Sequence, residues 1–153
     1  MSEQEGKLAQ QHKEYLVKKQ TTTDFSLLNL VTHNINGLKV NSYKLDLLVE
    51  WALENNIDIL GINETNISEQ QGKFLCIKRN NYVGFWTGAC ENKLKGSGVG
   101  LLVNKTWEKH IGQVTRYSNY YIDILIFFKK YKLLIISIYI PPNDKEEKKR
   151  IQQ

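Results

Sequence analysis

The apolar residues of this chain fall in short blocks, and several blocks end in polar side chains. Leu27-Leu28-Asn29-Leu30-Val31-Thr32-His33 runs into Asn34-Ile35-Asn36-Gly37, which reads as a strand over residues 25–33 followed by an Asn-rich turn. Asn41 or Ser42 can then cap a helix reaching residue 54. Leu45, Leu48, Val49 and Ala52 recur at spacings of three and four and make one apolar stripe on it. Asn55-Asn56 ends the helix, and a fully apolar strand over 57–62 follows, ending in Asn63-Glu64-Thr65. Strand, helix and strand with short links form a crossover unit within one sheet, so two buried strands present polar tips side by side.

From residue 82 the pattern changes. Blocks at 82–88, 98–104, 121–128 and 133–140 read as successive strands without intervening helices. The link Lys129-Lys130-Tyr131-Lys132 is short enough for a hairpin, so this part is expected to be antiparallel. The fold class is therefore α/β, in its α+β form, with a mixed sheet of about six strands and one main helix. The last strand is apolar on both alternating faces, a pattern expected of a strand covered on both sides, yet the sequence offers few candidates to cover the second face.

The chain ends carry different compositions. Residues 1–24 are sparse in apolar side chains, and Lys7, Lys13, Lys18 and Lys19 balance Glu3, Glu5, Glu14 and Asp24. A mobile arm is expected there, with no net charge to hold a polyanion. Residues 25–143 form the expected domain. Residues 144–153, after Pro141-Pro142, read as the start of a helix.

The totals narrow the classes. A length of 153 residues suits one domain, and 41% hydrophobic with 24% charged residues is ordinary for a globular protein. A net charge of +5 suits a polyanionic partner but is also common in proteins that bind none. Cys76 and Cys90 are too few and too irregularly placed for a zinc site, and reduced thiols are the simpler reading. The N-terminal residues lack the apolar core of a secretory leader, and no apolar run has the length of a membrane span. An intracellular protein, nuclear or cytoplasmic and neither secreted nor membrane-bound, is expected.

Three residues at strand ends are chemically competent. Glu64 can offer a carboxylate to a hard cation such as Mg2+, although a Glu at a strand end is more often simply solvated. Asn34 can hold a phosphate oxygen or a carboxylate through its amide, or serve only the turn. Tyr139 can donate its phenol to a phosphate, or pack at the rim. Gly96-Ser97-Gly98-Val99-Gly100 lacks the Lys-Ser/Thr that follows a nucleotide-binding loop and precedes a strand, so close backbone packing is expected of it. His12, His33 and His110 are scattered, and His33 must point away from Asn34 across the sheet.

Four motifs occur in order: Asn34-Ile35-Asn36-Gly37-Leu38, Asp58-Ile59-Leu60-Gly61-Ile62-Asn63-Glu64-Thr65, Gly96-Ser97-Gly98-Val99-Gly100-Leu101-Leu102 and Ile138-Tyr139-Ile140-Pro141-Pro142. Together the chain resembles the endonuclease/exonuclease/phosphatase superfamily, the deoxyribonuclease-I-like fold. It is nearest to abasic-site endonucleases and the endonuclease domains of LINE-type retrotransposons. The resemblance implies a truncated four-layer αββα sandwich. It implies that Asn34 is the active-site Asn, Glu64 the metal-binding Glu and Tyr139 the phosphate-contacting Tyr, with Mg2+ or Mn2+ as cofactor. Asn36 stands beside the metal where the abasic-site branch usually has Asp, and Asn66 stands where many members carry Lys. These departures favour a retroelement-type or unspecialised nuclease over abasic-site repair.

The family continues into a Gly-Asp-x-Asn segment and a closing Ser-Asp-His that do not occur in these residues. The implied function is thus a partial Mg2+-dependent phosphodiesterase acting on nucleic acid, DNA above all, with little activity alone. The alternative is a non-catalytic nucleic-acid-binding or interaction module derived from a retroelement. Exposed sandwich surface is expected to drive self-association or binding of a second polypeptide.

Overall fold

The structure, a computed structural model, describes residues 27–77, 79–91 and 96–142 together with Lys145 and Lys149. The arm expected at 1–24 lies outside the described residues, as does all but Lys145 and Lys149 of the helix start expected at 144–153.

Among the described residues seven strands divide between two sheets. Strands β1 (Leu30–Asn34), β2 (Ile59–Asn63), β3 (Tyr82–Trp86) and β4 (Val99–Asn104) lie in the order β1-β2-β4-β3. The β1–β2 pair is parallel and the other two pairs are antiparallel. Strands β5 (Ile111–Ser118), β6 (Tyr121–Phe127) and β7 (Lys132–Ile138) form an antiparallel second sheet. Helix α1 (Tyr43–Glu54) is the expected crossover. The Asn41 side chain accepts the Tyr43 N–H at 3.1 Å, whereas Ser42 makes no capping bond.

The α/β class and sandwich character hold, with differences of detail. Among the described residues seven strands lie in two sheets rather than about six in one mixed sheet, and a second helix, α2 (Glu69–Ile77), joins α1. Strand β5 escapes a pattern reading because Gly112, Gln113, Thr115 and Arg116 interrupt its apolar alternation. Helix α2 has a weak stripe but a legible start. Ser68 and Gln71 form a reciprocal capping box, with Ser68 N–H to Gln71 Oε1 at 2.9 Å and Gln71 N–H to Ser68 Oγ at 3.1 Å.

Two cores result. Leu45, Val49 and Ala52 of α1 pack with Leu60, Ile62, Tyr82, Trp86 and Leu102 on one face of the first sheet. On its other face Ile59, Leu101 and Val103 meet Ile122, Ile124 and Ile126 of the second sheet. The period-two alternation of β2 and β4 feeds both layers at once, which is why these strands are apolar throughout.

One expectation about burial is corrected. Strand β1 is an edge strand with Leu30, Thr32 and His33 exposed, not a buried one. Strand β7 is covered on its inner face only. Leu134, Ile136 and Ile138 line the outer face at 51%, 48% and 41% exposure. Apolar composition therefore does not report cover at an edge strand. Among the described residues no helix is long and apolar enough to cross a membrane.

Candidate active site

Parallel pairing puts the C-terminal ends of β1 and β2 side by side, with Asn34 opposite Asn63. Beyond these tips the chain leaves extended geometry. Glu64 takes a left-handed φ of 55°, and Asn36 and Asn66 take 49° and 52°. This region costs most L-residues about 1–2 kcal/mol, and Asn is the side chain that tolerates it best. Hydrogen bonds on both sides hold the strained tip. Gly37 N–H donates to Glu64 O at 2.7 Å and Leu38 N–H to Thr65 O at 2.9 Å. On the other flank Thr65 N–H donates to Gly98 O at 3.1 Å and Asn66 N–H to Ser97 O at 3.0 Å. The Asn66 side chain accepts Ser97 N–H at 3.2 Å, so it ties the tip to the glycine-rich loop.

Strand β7 brings the third component. Tyr139 follows its last residue, and the Tyr139 N–H donates to Tyr120 O at 3.0 Å. The three side chains then meet at one atom. Asn34 Nδ2 donates to Glu64 Oε1 at 2.9 Å, and the Tyr139 hydroxyl donates to the same oxygen. Asn36 N–H donates to Asn34 Oδ1 at 3.0 Å, which turns the amide so that its NH2 faces Glu64.

The structure thus brings Asn34, Glu64 and Tyr139 together. Asn36 joins through its backbone, while its exposed side chain makes no hydrogen bond among the described residues. His33 lies across the sheet in a groove with Val31, Ile35, Leu47 and Trp51. Cys76 and Cys90 are free thiols, and burial raises the Cys76 thiol. Among the described residues no three His, Cys, Asp or Glu side chains cluster.

The donor set fits a hard cation held by one carboxylate. Glu64 Oε1 is occupied by two donors, whereas no described group donates to Oε2. Mg2+ commonly takes one or two carboxylates and fills its remaining positions with water and substrate oxygens.

Sequence reasoning missed Lys44. Its Nζ donates to the carbonyls of Ile35, Asn36 and Gly37 at 3.1, 3.0 and 3.2 Å, so one ammonium clamps the turn that carries Asn34. The available signal was a Lys at the second position of the helix that follows an Asn-Gly turn. Gly98 was noted as a packing residue, and its φ of 84° beside Thr65 explains why no other residue type suits that position.

Desolvation, reinforced by the carboxylate it donates to, pushes the Tyr139 phenol from 10.0 up to about 12. The site therefore keeps a neutral phenol donor across all physiological pH. Between pH 10 and about 12 the unfolded chain has released the Tyr139 proton and the folded chain retains it, so stability falls as pH rises through that window. The difference in phenolate absorbance between the native protein and Tyr139→Phe should show this late titration. A Tyr139 midpoint near 10 would contradict the hydrogen bond to Glu64.

A family model described as the endonuclease/exonuclease/phosphatase family matches residues 31–150. No curated protein matches the chain. Among solved structures, the AP endonuclease LMAP from Leishmania major aligns with a TM-score of 0.59 at 12% identity, over 77% of this chain and 42% of that one. An AP endonuclease from Archaeoglobus fulgidus gives 0.56 at 19% identity, over 82% and 46%. The 3' phosphatase NExo from Neisseria, bound to a product DNA hairpin, gives 0.57 at 15% identity, over 83% and 48%. At these identities the likeness concerns the fold, and the chain spans less than half the length of these three structures. With the family model covering both strand tips and Tyr139, the chain belongs to the endonuclease/exonuclease/phosphatase family.

Proposed function

We propose that this chain carries the cation- and phosphate-binding part of a Mg2+-dependent phosphodiesterase centre that acts on nucleic acid. The observation that supports this reading most directly is the meeting of Asn34 and Tyr139 on one oxygen of Glu64. Glu64 would hold Mg2+ or Mn2+ through its other oxygen, with the Asn36 amide on the same turn as a neutral second donor. The cation, when bound, polarises the phosphate and offsets charge that develops on its oxygens. Asn34 fixes the Glu64 carboxylate. Tyr139, neutral and already a donor, can turn its proton toward a non-bridging phosphate oxygen.

Hydrolysis also needs a group that orients and deprotonates water. Among the described residues no cluster of three His, Cys, Asp or Glu side chains forms around Glu64 to supply one. Loss of a positioned base alone costs roughly 10²- to 10⁴-fold in rate. We therefore expect these 153 residues alone to bind the cation yet nick plasmid DNA barely above background. Mn2+ affinity, read by water-proton relaxation, should fall about tenfold or more in Glu64→Ala. Robust nicking that survives Glu64→Ala, or Mn2+ binding indifferent to it, would refute the assignment.

The retroelement-type reading rests on the neutral Asn36 and Asn66. Asn66 spends its amide oxygen on Ser97 rather than on a substrate. The outer face of β7 supports the partner proposal, because Leu134, Ile136 and Ile138 form an exposed apolar row on a strand whose outer edge no described strand pairs. Sedimentation should show concentration-dependent association that Ile136→Lys weakens. A monomer at all concentrations would remove self-association from the proposal.

A further inference from the structure

The pole of the sandwich opposite Glu64 carries a second concentration of chemistry. Strand β6 runs from Tyr121, near the site, to Phe127, and seven residues of strand span roughly 20 Å. At that far end the β6–β7 hairpin packs beside the 3-10 turn Lys105–His110. The His110 ring stacks on Phe128 at 5.7 Å between centroids, and Trp107 meets Phe128 edge-on at 5.8 Å. Nδ1 of His110 lies 3.1 Å from Phe127 O. The Phe128 N–H donates to Tyr131 O at 2.8 Å and closes the hairpin. A cavity of about 190 Å³ opens between His110, Phe128, Lys129, Lys130 and Tyr131.

Charge and shape coincide there. Lys105, Lys109, Lys129, Lys130 and Lys132 are all exposed at this end, against Glu108 as the nearest acid in sequence. Asp58, at the same end, accepts from Trp107 Nε1 at 2.7 Å and from Asn29 N–H at 2.9 Å, and its single charge offsets one of the five lysines at most. Tyr131 is 53% exposed between two of them. Cations that follow a phosphate backbone, set among aromatic rings on which a base can lie, are the combination that single-stranded nucleic acid requires.

We propose that the hairpin 127–132 and His110 form a second binding site, for a phosphate of single-stranded nucleic acid with its adjoining base on the aromatic surface. Lys129 and Lys130 supply the charge, and the ring edges of Phe128 and Tyr131 supply the apolar wall. This site does not depend on Glu64. It would hold a strand at the far pole while the centre at the strand tips stays open.

The full chain tests this with a labelled single-stranded oligonucleotide, measured by fluorescence anisotropy at low and moderate salt. Lys129→Ser with Lys130→Ser should weaken binding about three- to tenfold and flatten its salt dependence by one to two released counterions, at roughly 0.7 per phosphate for single strands. Tyr131→Ala should weaken binding with the salt slope unchanged. The hairpin is exposed, so folding should survive; Lys130→Glu alone gives the same reading if the double variant unfolds. Backbone amide shifts on titration should gather at 110 and 127–132. Inorganic phosphate should move the 129–130 amides but not the Tyr131 ring. The inference is overturned by native affinity and slope in the double variant, by shifts confined to the Glu64 pole, or by stronger binding to phosphatidylserine vesicles than to the oligonucleotide. Because Mn2+ binding at Glu64 is read separately, failure here leaves the catalytic proposal standing, and the converse holds.

Discussion

Trp86→Ala should cost about 3–5 kcal/mol of stability, the range found when a large buried aromatic is truncated. Trp86 is fully buried at the end of β3, and three glycines from three elements make room for its indole. A Cβ on Gly72 of α2 would stand 2.4 Å from the ring, one on Gly100 of β4 2.6 Å, and one on Gly84 of β3 2.7 Å from Nε1. Close backbone approach on three sides leaves no side chain free to collapse into the void. The indole N–H has no hydrogen-bond partner among the described residues, so the loss is almost wholly one of packing. Domains of this size are stable by about 5–15 kcal/mol, so the variant should lose a large share of its unfolding midpoint in urea. A midpoint within experimental error of the native one would show that Trp86 does not anchor α2 to the sheet.

Gly98→Ala should cost about 2–4 kcal/mol and also disturb the site. Two effects add. The φ of 84° penalises any L-side chain by about 1–2 kcal/mol. The new methyl would meet Thr65 Oγ1 at 2.3 Å and Asn66 N at 3.3 Å, an overpacking that typically costs 1–3 kcal/mol. A smaller gain of roughly 0.4–1 kcal/mol from a less flexible unfolded chain opposes them. The clash presses on the residues just after Glu64, so the carboxylate should shift from Tyr139 and the phenol should titrate closer to 10. Thr65→Ala removes the clashing oxygen, which is buried without a partner among the described residues, so Gly98→Ala with Thr65→Ala should recover part of the loss. If the double variant is no better than the single, the Thr65 contact is not the cause. If Gly98→Ala leaves both the midpoint and the Tyr139 titration unmoved, the coupling of this loop to Glu64 is wrong.

Much of the scaffold was legible in the chain. The crossover β1-α1-β2 follows from one apolar stripe flanked by two apolar blocks, because local periodicity and the short links leave a single compact arrangement. The strand-end placement of Asn34, Glu64 and Tyr139 was legible because each closes an apolar block. Strand β5 and helix α2 were not, since Gln113, Thr115 and Arg116 blur alternation in one and Gly72 thins the stripe of the other. The cover of β1 was misjudged for a related reason. Composition records what a strand could bury, whereas burial depends on the neighbour present at its edge.

By itself the amino-acid order determined the fold class and the strand-end location of the carboxylate and the amide, because each depends on residues adjacent in the chain. Tertiary structure decided that Tyr139, 75 positions beyond Glu64, donates to the same oxygen as Asn34. It also decided that Lys44 clamps the first tip and that five lysines share the far pole. Those relations arise when the second sheet packs on the first and brings together atoms that no local periodicity relates.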